Sequence, residues 1–392
     1  MTAQAVNRYL VVEEALRAAA PHALLDVARV HLRQLYQADA VQLLLADYAL
    51  TMLQPVAELP YTSKPIPVNG STPGQAFGAQ QAFVEHRSGT AVTVHLPVTV
   101  RGDRLGVLAL DLPDVPEPDD VAELTRIART LGHEIVVAER DTDLYLQARR
   151  AARLTLAAEM QWQLLPGRSC GRSEYDLGGQ LEPAYAIYGD NFDWSASAEH
   201  LTLALTNGMG EGIDAALLTN LAVNALRNAR RAGVSLADQA ALADQAVYGQ
   251  HAGRLHVAVL LLQFELKTGR VEVIDAGSPS VWRLRDGAVE CISFEDQLPL
   301  GMFEDTQYAP QEFQVRPGDR LIFVSDGVHD ASSPAGERYG ERALARAISV
   351  TRLLPAAQVP REILQQLSGH RSDRIPEDDA MVLCLDWHGT GA

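Results

Sequence analysis

Acidic side chains recur at three points beside the ends of strand-like runs in the sequence. They lie in "YGDNFDW" (Asp190 and Asp193), in "FVSDGVHD" (Asp326) and in "IPEDDAMVLCLDW" (Glu377, Asp378 and Asp379). Each motif alone is typical of a turn or a solvated loop, because Asp and Asn form hydrogen bonds with their own backbone there. Carboxylates delivered together from separate strand ends suit Mg²⁺ or Mn²⁺, since these hard cations take oxygen ligands. Together the motifs therefore predict a divalent-cation site.

A glycine-rich loop joins another strand-like run to a helix. The stretch "LTNGMGEGIDAALLTNLAV" runs from Leu205 to Val223, and Asn207 stands where an active site would usually need a carboxylate. Two interpretations are open here: a metal-site loop that has lost a charged ligand, or a turn. A phosphate-binding loop is a third and weaker one, since the Lys and Ser/Thr of such loops are absent. No GxxxxGK[ST], HExxH or GxSxG motif favours another chemistry.

The first third of the sequence alternates helix-like and strand-like segments. The helical spacing of "VVEEALRAAAPHALLDVARVHLRQLY" is followed by strands in "AVQLLLADY" and "LQPVAEL" and by a short helix in "PGQAFGAQQAFV". A hairpin turns at Arg101-Gly102-Asp103, and "PEPDDVAELTRIARTLGHEIVVAE" closes the segment as an amphipathic helix. This order resembles a GAF domain, a small sensory module that often binds a small ligand or forms dimers. A ligand-free structural and dimerising module is an equally open interpretation.

One long helix is predicted from Glu134 to Leu165, where Pro166-Gly167 ends it. A heptad frame places apolar residues at one core position, which are Val137, Leu144, Ala151, Ala158 and Leu165. The second core position is interrupted by Asp141 and Thr155. A signalling coiled coil that pairs two copies fits this pattern, and a helix packed on its own domain explains the small apolar residues about as well.

The remainder of the sequence is rich in strand patterns, with two helices between them. The helical segments are "EGIDAALLTNLAVNALRNARRAG" and "LADQAALADQAVYGQ", and strands such as "LHVAVLLLQFEL", "RVEVIDAG", "DRLIFVSDG" and "AMVLCLDW" follow. A β-rich region with an inserted helical pair is the simplest architecture.

Composition limits the classes of partner and compartment. The 392 residues are 47% hydrophobic, enough for two or three folded domains, and their formal net charge of −17 disfavours nucleic acid as a partner. Three widely spaced cysteines predict neither a disulfide framework nor a zinc knuckle, which favours a reducing cytoplasm. No basic-then-apolar leader opens the sequence, and runs such as "HVAVLLL" are too short to span a membrane. Peripheral attachment to a membrane stays open.

Ordered motifs in the second half of the sequence carry a resemblance to a known family. Residues from about Ala157 to Trp387 resemble the PPM family of metal-dependent protein serine/threonine phosphatases, in its SpoIIE-like bacterial branch. The matching motifs are "AAEMQWQLLP", "YGDNFDW", "TNGMGEGIDAALLT", "DAGSPSVW", "LPLGM", "VRPGDRLIFVSDGVHDA", "YGERAL" and "EDDAMVLCL". The expected fold class is therefore α+β. It comprises a GAF-like α/β sensory domain in 1–135, a helical linker in 136–168, and a PPM-type β-sandwich flanked by helices in 169–392.

The resemblance also implies a site. Asp190 and the backbone carbonyl of Gly208 would bind the first of two Mn²⁺ or Mg²⁺ ions, and Asp326 and Asp378 would hold the other. These three aspartates would be the catalytic residues, because in the family the ions bracket a water, lower its pKa and direct it at the phosphorus of phosphoserine or phosphothreonine.

Asn207 departs from the family at the aspartate that bridges both metals. Two dications about 4 Å apart repel each other by roughly 17 kcal/mol at an effective dielectric constant of about 20, so a shared anionic ligand matters. An asparagine oxygen can still coordinate but brings no charge, so occupancy of at least one metal should fall. Ser278 replaces a family histidine and Ala380 a usual threonine, with structural consequences expected, and Glu211 could reach the site through water.

Two functions follow from this resemblance and its departures. The first is a phosphatase acting on a phosphorylated regulator, such as an anti-sigma-factor antagonist, under the control of the GAF-like domain. The second is a pseudophosphatase, which keeps the fold and binds a phosphoprotein but turns over little or nothing because of Asn207.

Overall fold

The structure is a computed structural model that describes residues 7–56, 64–150, 155–182, 188–277, 279–372, 374 and 377–390. The chain divides into two compact units, Met1–Arg153 and Leu154–Ala392. No helix in these described ranges is both long and apolar enough to cross a membrane.

The first unit contains helices around one antiparallel sheet. Its elements in chain order are α1 (Arg8–Ala18), a 3₁₀ turn (Pro21–Ala23), α2 (Leu24–Tyr36), β1 (Ala40–Ala46), β2 (Met52–Pro55), β3 (Ile66–Pro67), α3 (Thr72–Ala79), β4 (Phe83–His86), β5 (Val92–Val100), β6 (Asp103–Leu112), α4 (Pro118–Ala138) and α5 (Leu144–Ala148). The six strands lie in the order β3-β2-β1-β6-β5-β4. The expected sequence of helix, strands, short helix, hairpin and closing helix is therefore found.

The core of the first unit lies on one face of this sheet. Apolar side chains of α1, α2 and α4 pack there against β1, β5 and β6. A smaller cluster on the sheet includes Phe77 of α3 with Leu44 and Val107. Apolar residues at helical spacing thus bury one stripe of each helix, which is what the sequence pattern requires of helices packed on a sheet.

The single long helix expected from Glu134 to Leu165 is wrong. Helix α4 ends at Ala138, and in the turn that follows the Thr142 hydroxyl accepts a hydrogen bond of 3.3 Å from the backbone N–H of Leu144. Such a local side-chain bond competes with helix continuation. Tyr145 then lies fully buried in the core of the first unit, and its hydroxyl donates to the carbonyl of Pro21 at 2.9 Å. Burial of Tyr145 thus outweighs the helical periodicity.

The predicted heptad seam is interrupted for the same reason. Val137 is exposed, whereas Leu144 packs against the core of the first unit. Ala151 lies outside the described residues. A new helix, α6 (Leu156–Leu164), begins in the second unit, where the Thr155 hydroxyl caps it by accepting from the N–H of Ala158 at 3.2 Å. The seam positions therefore belong to different helices.

The second unit is a two-sheet structure with helices on its outer faces. After α6 its elements are β7 (Ser169–Gly171), β8 (Tyr175–Glu182), β9 (Asp190–Ala196), β10 (His200–Gly208), α7 (Gly212–Arg231), α8 (Leu236–His251), β11 (Val257–Glu265), β12 (Arg270–Ala276), β13 (Ser280–Arg285), β14 (Ala288–Ile292), β15 (Gln311–Gln314), β16 (Arg320–Val324), α9 (Asp326–His329), α10 (Ala343–Val350), α11 (Val359–Arg371) and β17 (Ala380–Trp387), with 3₁₀ turns at Tyr339–Glu341 and Thr351–Leu353. The predicted helical pair is confirmed as α7 and α8.

The two sheets are antiparallel and carry separate helical layers. One has the order β15-β12-β11-β10-β9 and is covered by α7 and α8, and the other has the order β14-β13-β16-β17-β8-β7 and is covered by α10 and α11. Between the sheets, Phe264 of β11 stacks on Trp387 of β17 with ring centroids 6.0 Å apart. This β-sandwich flanked by helices is the architecture that the family resemblance implies for this part of the chain.

Candidate active site

The site begins with two residues that lie opposite each other on neighbouring strands. Asp190, the first residue of β9, is the Cα partner of Asn207 near the end of β10. Asp190 is only 1% exposed. Strand β10 alternates apolar residues toward the core up to Leu205 and then reaches the glycine loop, so the antiparallel register places the amide beside the carboxylate.

A second pair of carboxylates comes from the other sheet. Asp326 is the first residue of α9, two positions after the end of β16, and Asp378 precedes β17, the antiparallel neighbour of β16. The end of one strand therefore lies beside the beginning of the next. Gly327 makes the approach close, since a Cβ there would lie 1.9 Å from the carbonyl oxygen of Asp379 and 3.2 Å from Cβ of Asp378. Only glycine allows this contact.

Asn207 connects the two sheets at this point. Its Nδ2 donates a hydrogen bond to Oδ1 of Asp326 at 2.8 Å, and the same oxygen accepts from the N–H of Gly327 at 2.9 Å. In this arrangement the amide supplies a proton donor where a bridging aspartate would supply a negative charge. The Oδ1 oxygen of Asp326 is therefore satisfied by the protein itself.

Asp190 is not satisfied in this way. Neither of its carboxylate oxygens has a hydrogen-bond partner among the described residues, although both are buried. Burial, and then the charge of Asp379, raise the pKa of Asp190 well above its usual range, and the neighbouring Ser325 hydroxyl offsets this only in part. A buried carboxylate without donors is costly, so this position is suited to a proton or a cation.

The other two carboxylates are also shifted toward protonation. Burial, followed by the charge of Asp326, raises the pKa of Asp378 to about 6. Burial likewise raises the pKa of Asp326. The largest cause of each of these pKa shifts is burial, and the negative charge of neighbouring carboxylates adds to it. The sequence supplies these acidic residues in separate motifs, and the fold brings their charges together.

The glycine loop is held by close backbone packing. The N–H of Gly208 donates to the carbonyl of Gly189 at 3.2 Å, and the hydroxyl of Thr219 on α7 donates to the same carbonyl at 2.8 Å. A Cβ at Gly208 would lie 2.3 Å from that hydroxyl oxygen, so the loop needs glycine there. Helix α7 is thereby fixed against the strand ends that carry Asp190 and Asn207.

Two buried residues of the site lie outside the predicted set of ligands. Asp379 is fully buried, and its Oδ2 accepts hydrogen bonds from Nε2 of Gln161 at 2.8 Å and from the N–H groups of Tyr188 and Gly189 at 3.0 and 3.2 Å. Gln161 also donates from Nε2 to the carbonyl of Asp190 at 2.9 Å. Helix α6 therefore touches the backbone of the site. The signal in the sequence is a glutamine four residues after Ala157, on the buried face of the helix.

The remaining residues named from the sequence have other positions. Asp193 is buried in ion pairs with Arg227 at 2.7 Å and Arg230 at 2.9 Å, so it fastens β9 to α7. Glu377 lies in a cavity with Asp326, and Glu211 is exposed just before α7. Ala380 is the buried first residue of β17, and Ser278 lies outside the described residues.

The donor set fits a hard divalent cation by its chemistry. It consists of oxygen atoms from Asp190, Asp326, Asp378, the Asn207 amide and the Gly208 carbonyl, and the two buried oxygens of Asp190 form no hydrogen bond among the described residues. Across the described ranges, however, no group of three or more His, Cys, Asp or Glu side chains is arranged so that it could hold a metal ion.

Comparison with known proteins agrees with this fold. Residues 197–388 match the family described as Stage II sporulation protein E (SpoIIE). The RsbU and RsbW domains of Rv1364c from Mycobacterium tuberculosis superpose with a TM-score of 0.50 at 20% identity, over 56% of this chain and 61% of that one. Residues 197–388 of the second unit are therefore similar to a SpoIIE-type PP2C phosphatase domain, and the unit has a mixed α/β fold built on a β-sandwich. The family match begins at residue 197 and leaves the first unit outside it.

Two curated relatives extend the comparison. Phosphoserine phosphatase RsbU of Bacillus subtilis is 20% identical over 208 residues, which are 53% of this chain and 62% of the relative. Protein IcfG of Synechocystis sp. is 20% identical over 255 residues, which are 58% of this chain and 40% of the relative. This chain thus spans about half of the length of the curated relatives that it matches.

Proposed function

We propose that the protein is a metal-dependent phosphatase that hydrolyses phosphoserine or phosphothreonine in a regulatory protein. The observation that carries the proposal is Asp190, a buried carboxylate whose two oxygens form no hydrogen bond among the described residues and whose pKa is raised by the charges of Asp326 and Asp378. The similarity to phosphoserine phosphatase RsbU supports the same substrate class. An anti-sigma-factor antagonist is the kind of regulator that we propose as substrate.

The proposed reaction is hydrolysis of a phosphomonoester. The oxygen of water forms a bond to phosphorus, the bond from phosphorus to the side-chain oxygen breaks, and one proton of the water ends on the released alcohol. Mn²⁺ or Mg²⁺, when bound, would lower the pKa of water and neutralise phosphate charge. Asp190, Asp326 and Asp378 would hold the ions, together with the Gly208 carbonyl and the oxygen of the Asn207 amide.

The surrounding residues would keep these ligands in place. Gln161 and Asp379 form hydrogen bonds that hold the backbone carbonyl of Asp190 and the N–H groups of Tyr188 and Gly189. Asp378 Oδ1 accepts from the N–H of Asp379 at 2.8 Å, which orients its carboxylate. Ligands held by buried hydrogen bonds lose little freedom when a cation binds.

A specific observation favours a second candidate, a pseudophosphatase that binds a phosphoprotein without turning it over. The hydrogen bond from Asn207 to Asp326 satisfies an oxygen of a proposed metal ligand without a metal. Asn207 itself brings no negative charge, which a bridging aspartate would supply. A domain with this substitution would keep its fold and its binding surface while losing one or both ions.

The two candidates are separated by one comparison on the full chain. Calorimetric titration with Mn²⁺ and hydrolysis of p-nitrophenyl phosphate are measured for wild type, Asn207→Asp and Asp326→Ala. The phosphatase proposal expects Mn²⁺ binding and turnover in wild type, with turnover abolished in Asp326→Ala. Turnover that appears only after Asn207→Asp would establish the pseudophosphatase instead.

We further propose that the first unit is a GAF-like sensory domain that controls the phosphatase domain. Support comes from its six-stranded antiparallel sheet with helices and from the contact of α6 with the site through Gln161. A small ligand at the first unit and pairing of two copies of the chain belong to the same proposal. Three free cysteines, Cys170, Cys291 and Cys384, support a reducing cytoplasmic location.

A further inference from the structure

A cavity of about 400 Å³ opens beside the acidic cluster, where β16 and β17 meet the end of α11. Its lining includes four carboxylates and two arginines, which are Asp326, Asp330, Glu377, Asp378, Arg371 and Arg374. Two of the carboxylates are proposed metal ligands, so their charge would be neutralised in the loaded protein. The arginines have no role in the site described so far.

Arg371 is an unusual residue for such a place. It is the last residue of α11 and only 7% exposed, and its Nε has no hydrogen-bond partner among the described residues. Burial lowers the pKa of the guanidinium, and the charge of Glu182 at the end of β8 offsets this only in part. A buried guanidinium with an unused donor is costly, and a bound anion would remove that cost.

Arg374 lies three residues further on and is exposed. Ser372 between them takes a left-handed conformation with φ of +56°, which ends the helix, and the N–H of Arg374 then donates to the carbonyl of Arg371 at 3.4 Å. Both arginines line the cavity. One arginine is therefore buried and positioned, and the other is free to meet a ligand from solvent.

Phosphate monoesters are the ligand that this pair of side chains matches. The planar guanidinium offers parallel N–H donors that fit two oxygens of one phosphoryl group, which a lysine ammonium cannot do. The carboxylates of the cavity repel a phosphate unless cations neutralise them. Binding through the arginines should therefore depend on divalent cations at the acidic cluster.

We propose that Arg371 and Arg374 bind the phosphoryl group of the phosphorylated substrate and so select phosphorylated over unphosphorylated protein. This inference rests on the proposed function for its substrate class. It differs from that function because it assigns substrate binding to residues outside the acidic cluster. A purely structural role for Arg371, as a counter-charge to Glu182, is the alternative that the experiment must exclude.

The test uses the full chain and a non-hydrolysable probe, a fluorescent glycine-flanked peptide that carries a phosphonate analogue of phosphoserine. Its affinity is measured by anisotropy with Mn²⁺, against the same peptide with unmodified serine, in wild type and in the Asn207→Asp background. Arg371→Lys and Arg374→Ala are compared with Arg346→Ala, an exposed arginine on α10. Melting temperatures check folding, and KM and kcat for p-nitrophenyl phosphate are measured separately.

We expect preferential binding of the phosphonate peptide, weakened about tenfold by Arg371→Lys and by Arg374→Ala and unchanged by Arg346→Ala. Arg371→Lys keeps the positive charge beside Glu182, so a structural role predicts normal affinity for that variant. Normal affinity in both arginine variants, or no preference for the phosphonate peptide in either background, would overturn the proposal. Arginine-dependent binding without turnover would contradict only the phosphatase activity. Turnover whose KM is unaffected by both substitutions would contradict only the arginine proposal.

Discussion

The amide of Asn207 and the carboxylate of Asp326 are joined by a hydrogen bond of 2.8 Å between the two sheets of the second unit. Asn207 is near the end of β10, and Asp326 follows β16. The bond replaces a charge that could hold cations with a neutral donor that satisfies one carboxylate. The same substitution should therefore stabilise the metal-free fold and weaken the metal-loaded one.

Asn207→Asp should accordingly have opposite effects with and without metal. In EDTA the new carboxylate loses the hydrogen bond and repels Asp326, which we expect to lower the free energy of unfolding by about 1–3 kcal/mol. With Mn²⁺ the added ligand should raise the melting temperature above that of wild type. Scanning calorimetry in both buffers measures this, with Asn224→Asp on the exposed face of α7 as the control for added charge. Equal shifts in both buffers would contradict a role in cation binding.

Asp190 and Asp193 should respond to substitution in opposite ways, although they are only three positions apart in the sequence. Asp190→Asn removes a buried carboxylate without donors, so we expect a gain of about 1–3 kcal/mol in metal-free stability and loss of Mn²⁺ binding. Asp193→Asn breaks the ion pairs with Arg227 and Arg230, so we expect a loss of about 3 kcal/mol with Mn²⁺ affinity retained. Urea unfolding and calorimetry on both variants measure this, and matching profiles would refute the division of roles.

Gln161 should transmit changes in α6 to the site. Gln161→Ala removes hydrogen bonds to Asp379 and to the carbonyl of Asp190, and we expect a loss of about 1–3 kcal/mol together with weaker Mn²⁺ binding. Gln163→Ala is the matched control on the same helix, because Gln163 is exposed and bonds only to Glu159 in the described structure. If both variants bind Mn²⁺ like wild type, α6 has no part in positioning the site.

Stability of the metal-free chain should fall as the pH rises through the range in which Asp378 ionises. Burial and Asp326 raise the folded pKa of Asp378 to about 6, above the unfolded value of about 3.9. A raised folded pKa contributes stability that is complete below the unfolded pKa and is lost as pH rises through the folded one. Urea unfolding in EDTA between about pH 4 and 7 should show this decline, and Asp378→Asn should make it shallower. An unchanged slope in the variant would contradict the assignment.

Local patterns in the sequence predicted many of the helices and strands. Alternating apolar residues in β10 and the helical stripe of α7 each depend on neighbours in the chain, so their type can be inferred without the tertiary structure. The acidic motifs at Asp190, Asp326 and Asp378 could be found for the same reason, because carboxylates beside strand ends can be recognised from the sequence alone.

Long-range contacts decided where the predicted long helix is interrupted and which further residues join the site, and local patterns could not predict either. The residues from Glu134 to Leu165 have helical periodicity, yet burial of Tyr145 in the first unit and capping by Thr155 divide them. Gln161 became a residue of the site only because α6 packs at the ends of β9 and β17, which no spacing in the sequence reveals.

The sequence by itself determined that Asn207 lacks the charge of a bridging carboxylate, because charge belongs to the side chain wherever it lies. Only the tertiary structure decided what takes the place of that charge. A hydrogen bond to Asp326 requires two strands from different sheets to end at the same place, and their packing brings together residues that are 119 positions apart. The tertiary structure also gives the two neighbouring aspartates different roles. Asp193 is paired with arginines, whereas Asp190 forms no side-chain hydrogen bond among the described residues.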